Sequence, residues 1–206
     1  NYGGPVGDPE AVAALARHAV SEARATRASL ELRARHEIEA DLPVSQRKVT
    51  VLLPLPDDAE TLWTDFKSKV RSQVRRPMKE DMETRFGPDQ LDPFYSVFAH
   101  NMRDLGTPVL PRTLFERLRD TFPDELVFAA VYFDGQPVAG GAGFVFNDEF
   151  EITWASSLYE YSRQAPNMLL YWSLMENMIE RGVSTFNFGR CTPGEGTHRF
   201  KMQWGG

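Results

Sequence analysis

Between Leu62 and Val74 apolar side chains recur every four residues, at Leu62, Phe66, Val70 and Val74. A four-residue step turns only about 40° around an α-helix, so these positions share one face. The pattern predicts a helix from Ala59 that ends or kinks near Arg76, ahead of Pro77. Lys67, Arg71 and Arg75 fall on the adjoining stripe of that helix. Further helices are predicted over residues 93–105 and 111–121. From Leu126 the period falls to two. Residues 126–133, 137–146 and 150–156 read as three strands of a meander, turned at Asp134-Gly135 and Asn147-Asp148. Pro166 then opens a helix over 167–180 that is apolar nearly all round, as a helix buried on most sides must be. Gly182 closes it, and residues 185–188 form the next strand.

Ahead of residue 59 the pattern is less regular. Asp8-Pro9 reads as a cap followed by proline at the first helical position, with an Ala-rich helix over 8–27. Ser29-Leu30-Glu31-Leu32-Arg33 alternates and predicts a strand. Residues 49–53 predict another, halted by Pro54 and Pro56. The helix-then-strand order at 8–33 returns at 166–190, which predicts a degenerate tandem repeat. Residues 1–56 are then the remnant of a first repeat, cut at its start. Residues 57–206 are the second, lacking its last strands. Residues 1–54 are expected to form an incomplete sheet half with an exposed edge.

Composition narrows the function classes. The 206 residues are 42% hydrophobic with 14 Phe and 4 Trp, ample for a packed α/β core. A net charge of −6 argues against a generally basic nucleic-acid coat protein. A single cysteine, Cys191, excludes an internal disulfide and a cysteine-rich zinc site. The four histidines are scattered, so no metal centre is expected. No apolar run reaches the length needed to span a bilayer. The chain opens at Asn1 rather than Met, so an upstream segment is expected.

Chemistry concentrates near the C-terminus. Phe186-Asn187-Phe188-Gly189-Arg190-Cys191 runs into a loop with Gly194, Gly196 and Thr197, followed by Lys201. Glycines let backbone amides converge on an anion, and Arg190 and Lys201 add fixed charge. Such a loop suits a phosphorylated or carboxylated ligand; equally, it suits a glycine-rich surface loop with solvated cations, or an Arg190–Glu195 ion pair. Lys67, Arg71 and Arg75, with Lys69, Arg76 and Lys79, form a run without an acid, which a tRNA, nucleotide-linked sugar or polyprenyl diphosphate would neutralise; a solvated helix face is the alternative. Glu151, on the strand face opposite Phe150, Ile152 and Trp154, is a candidate general base. Tyr171 is both a candidate substrate contact and a candidate core residue.

Four stretches carry a resemblance: Asn1-Tyr2-Gly3-Gly4, Asn101-Met102-Arg103-Asp104-Leu105-Gly106-Thr107-Pro108, Pro166-Asn167-Met168-Leu169-Leu170-Tyr171-Trp172, and Phe188-Gly189-Arg190 through Phe200-Lys201 to Trp204-Gly205. Together they resemble the FemAB-like proteins of exosortase and exopolysaccharide clusters, within the GNAT superfamily and akin to its BioF2-like acetyltransferase domain. The resemblance covers nearly the whole chain. It implies a mixed GNAT-like sheet with a central buried helix. It also implies transfer of an acyl or aminoacyl group, from acyl-CoA or aminoacyl-tRNA and without a metal, to an amine of a cell-envelope, peptidoglycan or exopolysaccharide precursor. Lys201 takes the place of the Fem-type lysine of a Phe-Lys-x-x-Phe/Trp motif, implying oxyanion or phosphate stabilisation. A small-molecule or lipid-linked acceptor, a cytoplasmic site at the inner face of the membrane with peripheral association, and no DNA partner follow from the same likeness. Three positions depart from the pattern: Asn187 stands for an aspartate, Cys191 for a serine, and Ser162-Arg163-Gln164-Ala165-Pro166-Asn167 for the pyrophosphate loop of acetyl-CoA users. The rival function is a non-catalytic module that holds a nucleotide-sugar, lipid diphosphate or RNA.

Overall fold

The computed structural model describes residues 3–34, 38, 40, 42–45 and 47–206. Asn1 and Tyr2 of the first resembling stretch lie outside the described residues, as does His36, one of the four histidines. The chain divides into two compact units, Asn1–Lys48 and Val49–Gly206.

In the first unit the α1 helix (Pro9–Thr26) begins as the sequence predicts. The Asp8 carboxylate accepts from the Ala11 amide at 2.8 Å, with proline in the first turn. Arg27 closes the helix in the left-handed region at φ 53°. The strand expected over 29–33 does not form. Arg33 makes an isolated antiparallel bridge with Gly3, and residues 29–32 belong to no strand. Alternation marks a surface that could sit on a sheet, but a strand also needs a partner.

The second unit is one six-stranded mixed sheet in the order β1-β6-β5-β4-β3-β2. Its strands are β1 (Val49–Pro54), β2 (Glu83–Phe86), β3 (Leu126–Phe133), β4 (Gln136–Phe146), β5 (Glu149–Ser157) and β6 (Thr185–Cys191). The meander and its two turns stand where the period-two pattern put them, with Asp134 and Gly135 at φ 48° and 73°. β5 and β6 run parallel, and the other neighbours are antiparallel. Val49–Pro54 joins this sheet beside β6.

Alternation along β3 distributes side chains between two cores. Val127, Ala129 and Val131 enter the larger one with the α6 helix (Pro166–Glu180) and with α2 (Ala59–Asp65) and α3 (Ser68–Met78). Leu126 and Phe128 enter the smaller one with α4 (Leu91–Asp104) and α5 (Arg112–Thr121), around the fully buried Phe94 and Phe115. The α6 helix buries ten of its fifteen residues, as its all-round apolar sequence requires.

Two expectations from the four-residue period are corrected. The helix from Ala59 is not continuous: α2 ends at Asp65, Phe66 is extended at ψ 140°, and α3 starts at Ser68. Pro77 does not end the second helix but sits inside its last turn. The break is held by Arg71, whose guanidinium donates to the carbonyls of Thr64 and Phe66, both at 2.8 Å. These are orphan acceptors at a helix C-terminus, and a cation there also meets the negative end of the helix dipole.

Glycines admit close approach along β4. A Cβ on Gly143 would lie 2.4 Å from the Glu151 carbonyl oxygen and 2.6 Å from the Phe150 ring. Gly143→Ala is expected to cost about 1–3 kcal/mol by overpacking. The check is a denaturant midpoint that falls at unchanged slope; an unshifted midpoint would show that the strand gives way freely.

Candidate functional site

β5 and β6 diverge. Their parallel pairing covers Glu149↔Thr185, Phe150↔Phe186 and Glu151↔Asn187, and stops there, although both strands continue. Beyond that point β5 stays paired to β4 as far as Ser157. β6 stays paired to β1 as far as Cys191. The sheet therefore opens into a wedge between residues 152–157 and 188–191, at the carboxyl ends of two parallel strands. Among the described residues β5 and β6 are not paired to each other beyond that point, and such facing edges suit an extended, amide-bearing ligand adding to a strand.

A network at the apex fixes the wedge. Asn187 is fully buried, and its amide nitrogen donates to Glu149 Oε1 at 2.7 Å. Its amide oxygen accepts from the Gly189 N–H at 2.7 Å. Gly189, at φ 71°, sits where the β1–β6 register slips, a bulge that glycine enters without strain. Lys201, on α7 (Gly196–Met202), is 9% exposed and donates from Nζ to the carbonyls of Gly189 and Arg190 at 2.9 and 3.1 Å. Burial pushes its pKa down, while Cys191 and Glu151 pull it back up. Lys201 thus holds the β6 backbone just beyond Asn187, the residue that pairs with Glu151.

Lys201→Met keeps the aliphatic stem and removes the donors. Two carbonyls lose their partner, offset in part by relief of the desolvated ammonium. The expected cost is about 1–3 kcal/mol, read as a lowered melting temperature. The lowered native pKa means the unfolded chain binds more protons, so wild-type stability from this group rises with pH towards the ordinary lysine value. Lys201→Met should lack that component; identical pH profiles would overturn the assignment.

The other predicted residues fall in different settings. Arg190 lies on β6 opposite Thr50, and its guanidinium has neither hydrogen bond nor ion pair among the described residues, so the Arg190–Glu195 pair is not formed. Gly194 is no anion cradle: its N–H donates to His198 Nδ1 at 3.2 Å and its carbonyl accepts from Arg199 at 2.5 Å. Gly196 and Thr197 open α7 instead of belonging to a loop. Tyr171 is core, stacked on Phe188 and met edge-on by Phe200, with its pKa raised by burial. Cys191 is a buried free thiol.

Lys67, Arg71 and Arg75 do not form a common outward face. Lys67 precedes the first turn of α3, Arg71 caps α2, and Arg75 lies over the Trp63 ring at 5.1 Å. The placement of Glu151 also needs one correction. It opposes Phe144 in register, and a bulge at Thr153 turns Trp154 into the same α4–α5 core that Phe144 packs against. Trp154 is thus on Glu151's side of the sheet rather than opposite it.

Sequence reasoning missed two contributors. Ser156 is buried and bound by Asn101 Nδ2 at 3.1 Å, which ties the end of α4 to the wall of the wedge. Glu149 partners Asn187; the Asn for Asp departure was the only signal for it. Entry to α6 is also unusual. Ala165 is left-handed at φ 60°, Pro166 has no N–H, and the Met168 N–H is bonded to the Ala165 carbonyl at 2.9 Å. The first turn therefore offers few free amides to a diphosphate. Among the described residues there is no cluster of metal-binding side chains, and no helix is long and apolar enough to cross a membrane.

Three solved structures share this architecture at low identity. FemX matches with a TM-score of 0.70 at 14% identity, over 96% of this chain and 74% of that one. The C-terminal domain of a putative lysylphosphatidylglycerol synthetase from Agrobacterium fabrum matches at 0.65 and 17%, over 98% and 72%. L-PGS from Bacillus licheniformis matches at 0.53 and 13%, over 77% and 57%. These likenesses establish the α+β GNAT-like fold. No curated protein matches the chain. The sequence profile described as an acetyltransferase (GNAT) domain matches residues 64–202, two thirds of the chain, and the protein belongs to that family.

Proposed function

We propose that this protein is an N-acyltransferase that moves an acyl or aminoacyl group onto an amine of a cell-envelope or exopolysaccharide precursor. The observation that carries the proposal is the wedge opening beyond Glu151 and Asn187, at the carboxyl ends of the parallel pair. An activated ester or thioester lying along the free edge of β5 would present its carbonyl near the apex. The acceptor amine attacks that carbonyl carbon, a C–N bond forms, and the C–O or C–S bond to the carrier breaks. The amine's proton passes to Glu151, and the departing alkoxide or thiolate takes up a proton. The Arg190 guanidinium, without a partner among the described residues, is available to a carboxylate or phosphate on either substrate.

The donor is an acyl-CoA or an aminoacyl-tRNA. The proline-capped entry to α6 favours a carrier that does not depend on a bed of helix amides. On this reading the acceptor is small or lipid-linked and is met at the inner face of the membrane.

The test incubates the purified chain with amine-bearing envelope precursors and, in separate arms, labelled acetyl-CoA and charged tRNA. Label recovered in an amide product supports transfer and selects the donor. Binding of donor with no product in any arm would overturn transfer in favour of a holding module.

A further inference from the structure

We infer that the outer face of α3, together with Arg163, is a docking surface for the phosphodiester backbone of an RNA strand. The helix carries an unusual charge pattern. From Lys67 to Lys79 there are six cations and no acid, in a chain whose net charge is −6. The structure divides them by use. Arg71 is spent on the α2 carbonyls and Arg75 on the Trp63 ring. Lys67 stands ahead of the first turn, and Lys69, Arg76 and Lys79 remain; with Ser72 between them they are spaced three, four and three residues apart, which aligns the four positions in one ridge. All four are exposed.

Arg76 extends the ridge across to the segment before α6, donating to the Arg163 carbonyl at 2.9 Å. Arg163 is exposed as well. Among the described residues none of Lys69, Arg76, Lys79 and Arg163 has a carboxylate partner. Elsewhere, Arg33, Arg85, Arg103, Arg112 and Arg119 each pair with an acid. The chain has acids to spare, and this surface has been left without them.

The shape selects the partner. The ten residue-to-residue steps from Lys69 to Lys79 rise about 15 Å. A row of that length matches successive phosphates along a strand and exceeds what one diphosphate can neutralise. A membrane is the weaker match. Val70, Val74 and Pro77 are buried in the core, so α3 has no apolar face left to enter a bilayer. The surface stands whether or not the transfer reading holds, because binding is read without turnover.

The test measures fluorescence anisotropy of the whole chain with a labelled oligouridylate of about twelve nucleotides, between about 50 and 200 mM salt. Four phosphate contacts predict a ~50-fold loss of affinity over that range, and one contact only ~3-fold. The variant Lys69→Gln, Lys79→Gln, Arg163→Gln should show the shallow dependence; it leaves Arg76 and its bond in place. The control Arg17→Gln, Arg24→Gln, Arg119→Gln removes the same charge from other surfaces and should keep the steep one. Equal salt dependences for the two variants would overturn the proposal. So would binding to vesicles of anionic phospholipid by a protein that fails to bind the RNA, an outcome that gives the ridge to a membrane.

Discussion

Asn187→Asp is expected to destabilise the protein by about 2–4 kcal/mol near neutral pH and to recover as the pH falls. Asn187 is fully buried and uses both ends of its amide, donating to Glu149 and accepting from the Gly189 amide. Aspartate keeps the acceptor and loses the donor, and it sets a carboxylate against Glu149 at hydrogen-bond range. Two such groups cannot both ionise cheaply, so one folded-state pKa rises. A raised pKa gives a contribution that is present below the unfolded value, near 4, and is lost as the pH climbs through the folded value. The magnitude follows from removing one partner of a buried, charge-assisted bond. Thermal melts from about pH 5 to 8 should show the variant falling away from wild type as pH rises. Adding Glu149→Gln should restore the bond in the reverse sense and recover most of the loss. A deficit that is constant with pH, or one that the second substitution leaves untouched, would show that charge is not its cause.

The sequence was most legible where one period ran uninterrupted. The three-strand meander and α6 have their predicted places because alternation and all-round apolarity each admit one burial pattern. The break between α2 and α3 was hidden because the four-residue spacing of Leu62, Phe66, Val70 and Val74 carries on through it. All four are buried although Phe66 is not helical. β2 was missed because four residues with half-exposed side chains carry little pattern. α7 was missed because glycines at 194 and 196 read as loop, whereas Gly196 is its first residue. At the candidate site, the residue types of the Asn187-to-Lys201 region marked it in the sequence. The use of Lys201 was not, because it depends on two carbonyls exposed by a bulge in another element. The cationic run was likewise visible, but which cations face outward was set by Trp63 and by the carbonyls ending α2.

Glu151→Gln is expected to lower kcat by about 10²–10⁴-fold with KM changed little, if the transfer chemistry is as proposed. Glu151 is the last β5 residue paired with β6 before the strands part, so it stands at the apex where an acyl carbonyl would lie. It is partly exposed. Lys201, close enough to feel its charge, holds the neighbouring carbonyls and keeps the apex in shape. Glutamine preserves size and polarity and removes the ability to take the ammonium proton. Loss in kcat alone is the mark of an interaction made in the transition state. The acidic limb of the pH–rate profile should vanish in the variant, since that limb reports protonation of the base. A variant that retains wild-type kcat and its acidic limb would remove Glu151 from the chemistry and return the proton to solvent.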